Sequence, residues 1–408
     1  MASGSIRLKK FSMTALAAVS CLAILAAFVS ATTAQAAQVK TKIQIDRPLV
    51  GRGSDQSIYV LIGLEAPAAD RDRDRDRPPL NIALVLDRSG SMSGRGKLEY
   101  AKQAAGFVVD QLDRRDHLAV IEYDERISVL WPSQRVDATR TIKRLINELT
   151  PRGSTNLSGG MMRGVEEVEK TLHRKEFREN AINRVLLLSD GLANRGVTDP
   201  HQIRKMVRAA KRDGVRISTL GLGREFDEDL MQDIAENAGG SYTFIEHPNQ
   251  MARYFEEELN VLFATVLRDA RLEFDGGRRI ERAQILTYDE ASGRRNVDLD
   301  LGDFHAKEKR TFVLKLDVEP DAFDRLGTVD LGEITISYRD VETGTERRVT
   351  EDVEIEVVAD LARAERGINK DVVVETALLE TEIKQREAVD LFERGDVKLP
   401  IRWKTSFP

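Results

Sequence analysis

The sequence predicts an open α/β sheet inserted in a β-sandwich, with a helical segment at the C-terminal end. Three observations carry that prediction. The runs "NIALVLD" (81–87) and "RVLLLSD" (184–190) are apolar on both faces, as central strands of a parallel sheet must be. Stretches with helical spacing of apolar residues separate and follow them, up to about residue 265. On either side, at 39–65 and after about 270, apolar and polar residues alternate with the period of half-buried strands.

Residues 1–36 read as an export signal. Arg7, Lys9 and Lys10 precede a long apolar segment, and "AQA" ends it as a small-x-small cleavage site. An uncleaved membrane anchor is the rival reading. Cys21, the only cysteine, lies inside this segment in a poor lipidation context, so the mature chain has no disulfide and no thiol chemistry. No later segment is apolar enough to span a bilayer. The expected location is therefore exported, periplasmic or extracellular.

Residues 37–66 carry strands; Ile58, Val60, Ile62 and Leu64 alternate. Residues 67–79, with Asp and Arg alternating from 70 to 77 between prolines, read as a solvated linker. The α/β region spans 80–265. Its helix faces include Leu98, Ala101, Ala105, Val108 and Leu112, then Ile142, Leu145, Ile146 and Leu149, with further helices at 200–213 and 227–238. "HLAVIEYD" and "ISVLW" are joined closely enough to form an antiparallel hairpin. "VRISTLGLG" and "SYTFIE" supply two more strands.

Residues 266–358 return to alternating strands separated by turns, which suggests a sandwich. The strands at 39–65 have no partners nearby and are expected to complete it. Residues 359–408 hold a helix over 361–394 and a tail. The face formed by Val374, Leu378, Ala388, Leu391 and Phe392 needs a packing partner. Pro400 stands where a second antiparallel helix should start, so 397–408 reads as a truncated or frameshifted end or a docking tail, against an ordinary frayed terminus.

Hydrophobic residues make up 41% and charged residues 32%, the balance of a soluble globular chain. The formal charge of −6 argues against a nucleic-acid partner, which usually requires a basic face. None of the five histidines shows a paired metal spacing. Trp131 beside Pro132 reads as closing the edge hairpin rather than binding a sugar.

Ligands of open α/β sheets gather at the carboxyl ends of the strands. Asp87 ends the first buried strand and Asp190 the second, so both belong to one sheet edge. "DRSGS" adds Ser89 and Ser91, and the Gly-rich loop "PRGSTNLSGG" adds Thr155. All five offer oxygen. Hard cations prefer such donors, which points to Mg²⁺, with Mn²⁺ or Ca²⁺ as alternatives. Two carboxylates balance a divalent ion, and three neutral hydroxyls leave it electrophilic toward an outside anion. Arg88, Arg95, Lys97, Arg152 and Arg195 crowd the same loops. Of these, Arg88, Arg95, Arg152 and Arg195 are read as a rim that draws an acidic ligand, against ordinary solvated loop charges.

With those residues in view, the chain resembles the von Willebrand factor type A domain with a complete metal-ion-dependent adhesion site, in an arrangement similar to bacterial exported proteins of this type. The resemblance covers about 80–265 and rests on Asp87, Ser89, Ser91, Thr155 and Asp190. It implies a Rossmann-like sheet with one antiparallel edge strand, an ion held partly through water, and a position open to an Asp or Glu of a protein partner. It further implies that Thr155 coordinates mainly when ligand is bound. The expectation is a non-enzymatic adhesion or complex-assembly protein. A metal-dependent hydrolase is the chief rival, although the site residues include no obvious general base. A structural component of an envelope assembly is the third reading. A nucleotide fold lacks support, because neither a G-x-G-x-x-G after the first strand nor a Walker loop is present.

Overall fold

A computed structural model describes residues 38–54, 57–69, 77–223, 226–286, 292–293 and 295–393. The expected export signal, most of the charged linker and the tail at 397–408 lie outside the described residues.

The α/β region is a six-stranded sheet. Its strands are β4 (Leu80–Asp87), β5 (His117–Tyr123), β6 (Ile127–Arg135), β7 (Ile182–Ser189), β8 (Arg216–Leu222) and β9 (Tyr242–Ile245), in the spatial order β6-β5-β4-β7-β8-β9. Counted within the domain this is 3-2-1-4-5-6, the doubly wound order of a Rossmann-like sheet. Only β6 runs antiparallel, paired to β5. Every residue of β4, β5, β7 and β8 is buried, as expected of strands covered on both faces.

The helices divide between the two faces. On one, α1 (Lys97–Gln111), α2 (Thr139–Asn147) and α7 (Met251–Phe263) share a core with Leu80, Ile82, Leu84 and Leu86 of β4. On the other, α3 (Leu157–Leu172), α5 (Pro200–Arg212) and α6 (Glu228–Ala238) pack on Ala83, Val85, Val185 and Leu187. The short helix α4 (Lys175–Glu179) leads into β7. The order of the sheet reverses between β4 and β7, which pair in parallel. That reversal opens a crevice at their carboxyl ends.

Two five-stranded sheets form the sandwich. One contains β1 (Lys40–Ile45), β3 (Ile58–Glu65), β14 (Lys309–Val318), β11 (Ile280–Ile285) and β12 (Ser292–Gly293). The other contains β13 (Val297–His305), β10 (Thr265–Gly276), β15 (Gly327–Asp340), β16 (Glu346–Val358) and β2 (Leu49–Gly51). β3 pairs antiparallel with β14, and β2 pairs parallel with β16. The N-terminal strands thus enter both sheets, and the α/β domain is an insertion between them. Ile58, Val60, Ile62 and Leu64 alternate into the shared core with Phe312, Leu314 and Leu316.

Three local readings of the sequence need correction. Arg77, placed in the solvated linker, is buried: it forms a two-pronged ion pair with Asp116 at 2.7 and 2.5 Å and lies over the Phe263 ring. The single helix expected over 361–394 is two, α8 (Leu361–Arg366) and α9 (Lys370–Glu393). The Gly367 N–H bonds back to Arg363, Asn369 bonds to Asp46, and the Asn369 carbonyl then starts α9. Over its described side chains the packed face of α9 also differs from the expected one, of which Leu391 and Phe392 lie outside the described side chains. Val372 and Thr376 are buried, whereas Val374 and Leu378 are 57% and 63% exposed. Among the described residues, no helix is long and apolar enough to cross a membrane.

Candidate metal centre

Asp87 ends β4 and Asp190 follows β7, so both emerge at the crevice where the sheet order reverses. Both are fully buried. Ser89 and Ser91 follow Asp87 as the chain turns into a 3₁₀ segment, Gly90–Gly96. Their hydroxyls lie 3.0 Å apart, and Ser91 donates to Asp190 Oδ1 at 2.6 Å. These hydroxyls join loops from two strands. Thr155 lies just before Asn156, the cap of α3. A Cβ built on Gly191 would lie 3.2 Å from Ser91 Oγ and 3.5 Å from Thr155 Oγ1, so the Thr155 loop, second in chain order, reaches the same cradle. The five oxygen-bearing residues expected from the sequence are therefore gathered at one place.

Neighbours that the sequence reading did not single out hold these groups. Asp87 Oδ1 accepts the Ser89 N–H at 2.8 Å, and Oδ2 accepts the Ser189 hydroxyl at 2.9 Å. The Tyr123 hydroxyl lies 3.3 Å from Oδ2 and 3.0 Å from the Leu188 carbonyl. Burial, reinforced by the Asp190 charge, pushes the Asp87 carboxyl up to about 6, although the hydroxyl and backbone donors pull the other way. Burial disfavours the charged form of this carboxyl, and the groups that meet it among the described residues are neutral donors. Asn194 accepts the Thr155 N–H at 2.9 Å, and the Thr155 carbonyl accepts from Asn194 and Arg195 N–H groups, both at 3.2 Å. Asn156 caps α3 through the Gly159 N–H at 3.0 Å. The β5–β6 turn also grips the Thr155 loop, because Asp124 carbonyl accepts the Asn156 N–H and Glu125 accepts the Ser154 N–H. Gly153 has φ +72°, and a side chain there would collide with Glu125.

The basic residues do not form one rim. Arg88 is buried, bonded to Glu122 and to the Thr150 carbonyl and hydroxyl, so it is an internal strut rather than an exposed cation. The sequence places it beside the metal loop, but its side chain turns under the loop. Arg152 is exposed yet held by Asp124 at 2.6 Å. Arg95 and Arg195 are exposed on the first and third loops. Lys97, grouped with the rim by position, is buried with its Nζ 2.6 Å from Asp190 Oδ2.

Among the described residues, no three His, Cys, Asp or Glu side chains gather as a metal cage. The donor set here is different in kind: two buried acids and three hydroxyls. It suits a hard divalent cation that keeps some water. Asp87, Ser89, Ser91, Thr155 and Asp190 are the residues that would hold such an ion.

Residues 81–257 match the von Willebrand factor type A domain. The uncharacterized protein sll0103 of Synechocystis is 28% identical over 304 residues, 71% of this chain and 68% of that protein. The uncharacterized protein YfbK of Escherichia coli is 30% identical over 258 residues, 61% of this chain but only 44% of its own length. A solved von Willebrand factor type A protein from Catenulispora acidiphila superposes with a TM-score of 0.69 at 18% identity, over 89% of this chain and 84% of that one. At that identity the likeness speaks to fold alone, and it extends across the sandwich as well as the inserted sheet. With its doubly wound order, its antiparallel edge strand and the match to the family's model over residues 81–257, the inserted region has the von Willebrand factor type A fold.

Proposed function

We propose that the domain binds Mg²⁺ through Asp87, Ser89, Ser91, Thr155 and Asp190, as a complete metal-ion-dependent adhesion site, and grips an Asp or Glu of a partner protein. The observation that carries this reading is the continuous chain Ser89–Ser91–Asp190 at the sheet's switch point, with Asp87 buried beside it. When bound, the ion supplies an electrophilic position for a carboxylate oxygen. The residues supply its site: the acids carry the charge, the serines fix their spacing, and Asn194 and Asn156 hold the Thr155 loop. Exposed Leu192, next to the Asp190 loop, offers a partner an apolar contact, and Arg95 and Arg195 offer positive charge.

In this reading the protein is a binding protein, not an enzyme. None of its histidines falls on the three loops. Export through the N-terminal segment places it in the periplasm or outside the cell, where it serves adhesion or complex assembly. The test begins with calorimetry of Mg²⁺ on the wild type and on Asp87→Ala. Wild-type binding that is lost in a folded variant supports the site; equal affinity in the two proteins rejects it. A pull-down from envelope extract with Mg²⁺ or with chelator then asks for the partner.

A further inference from the structure

Lys97 occupies a place where a lysine is costly. It opens α1, at the helix end whose dipole disfavours a cation, and its side chain is only 8% exposed. Among the described residues the charge is answered by one group, Asp190 Oδ2, at 2.6 Å. Gly223, just after β8, lies beside the stem: a Cβ there would lie 3.9 Å from both Lys97 Cε and Nζ, and Gly223 holds φ +82°. Asp190 Oδ1 already accepts from Ser91, so both of its oxygens are engaged. Among the described residues Asp87 has no such cation, and its oxygens meet neutral donors. The two acids of the cluster are thus unequal.

We propose that Lys97 is a built-in counter-cation of the metal site, which weakens its hold on the divalent ion and strengthens its hold on the partner's carboxylate. This rests on the metal-binding reading above. Asp87, Asp190 and Lys97 together carry one negative charge, so a divalent ion brings the cluster to one net positive charge. Without Lys97 the loaded cluster is neutral and has less pull on an anion. A tethered cation also repels the incoming ion. Lys97 therefore trades metal affinity for ligand affinity, and it acts through Asp190 as a positioning residue that touches neither partner.

The experiment measures two affinities on the full chain. Mn²⁺ is titrated by calorimetry, and acetate, as a minimal carboxylate, is titrated against the Mn²⁺-loaded protein by water-proton relaxation. Lys97→Gln keeps a donor for Asp190, and Lys97→Met keeps an apolar stem; circular dichroism checks their folding. The expected result is opposite movement: Mn²⁺ binding about tenfold tighter and acetate binding about fivefold weaker than in the wild type. A purely structural lysine would lower both. Variants that bind Mn²⁺ equally or more weakly overturn the proposal, as do variants left unfolded at saturating Mn²⁺. A wild type that binds no Mn²⁺ instead removes the metal-site reading on which the proposal stands.

Discussion

At the site the second tier of hydrogen bonds matters as much as the motif. Tyr123 sits fully buried under Asp87, with its hydroxyl between the Leu188 carbonyl and Asp87 Oδ2. Tyr123→Phe should leave that carbonyl short of a donor and cost about 1–2 kcal/mol, read as a lower urea midpoint at constant slope. An unchanged midpoint would show that the hydroxyl contributes nothing. Thr155→Ala should separate two affinities differently: partner capture should fall more than metal retention, because the other four oxygens remain. Calorimetry for both on the same protein decides, and equal losses count against the idea. The five donor residues were legible in the sequence, since strand ends fix where Asp87 and Asp190 emerge. Tyr123, Ser189 and Asn194 were not, because a residue's role under a carboxylate depends on side-chain direction across strands rather than on spacing. Arg88 shows the same limit: adjacency to Asp87 suggested a rim, yet Glu122 on the next strand draws it inward.

At the scale of the element, α3 is the piece that brings Thr155 to the sheet. It packs against β4, β5 and β7 through small residues one turn apart. A Cβ on Gly160 would lie 2.6 Å from Tyr123 Cγ, and one on Gly164 would lie 2.6 Å from Val85 Cγ2 and 3.1 Å from Val185 Cγ1. Neither position has room for a methyl group, because the obstructing atoms belong to buried strands. Gly164→Ala gains up to about 1 kcal/mol of helix propensity. Overpacking should outweigh that, for a net loss of about 1–3 kcal/mol in urea denaturation. A stabilised variant would mean that α3 can shift outward freely. The sequence signalled the long elements well because burial on two faces leaves unbroken apolar runs, as in β4 and β7. It hid β2, whose three residues "LVG" are too few to show a period. It also hid the break before α9, where Asn369 caps a helix that apolar spacing alone would carry straight through Gly367.

For the whole molecule, the question is what makes the inserted domain and its sandwich act as one body. The chain passes from α7 into β10 with almost no linker, Phe263 ending one element and Thr265 starting the other. A buried ion cluster lies across the same junction, at the ends of β7 and β8 opposite the metal loops. Arg184 Nη2 meets Asp303 Oδ2 at 3.3 Å, and Arg216 Nε meets Asp303 Oδ1 at 3.2 Å. Arg216 also reaches Asp269 at 3.1 Å, and Lys211 reaches Asp300 at 3.0 Å. Burial alone would raise the Asp303 pKa, but Arg216, Arg184 and Arg268 together outweigh it and hold the carboxyl below its ordinary 3.8. A depressed carboxyl contributes stability above the unfolded-state value and loses it as pH falls through the folded-state one. Asp303→Asn should therefore cost about 3–5 kcal/mol at pH 7, because it leaves buried guanidinium groups short of their shared anion. Urea denaturation should show the loss, and with it a separation of one cooperative transition into two as the domains uncouple. The gap between wild type and variant should hold down to about pH 4 and narrow below it, once Asp303 itself is protonated. A gap at pH 3 as wide as at pH 7 would mean that the Asp303 charge is not what joins the two domains.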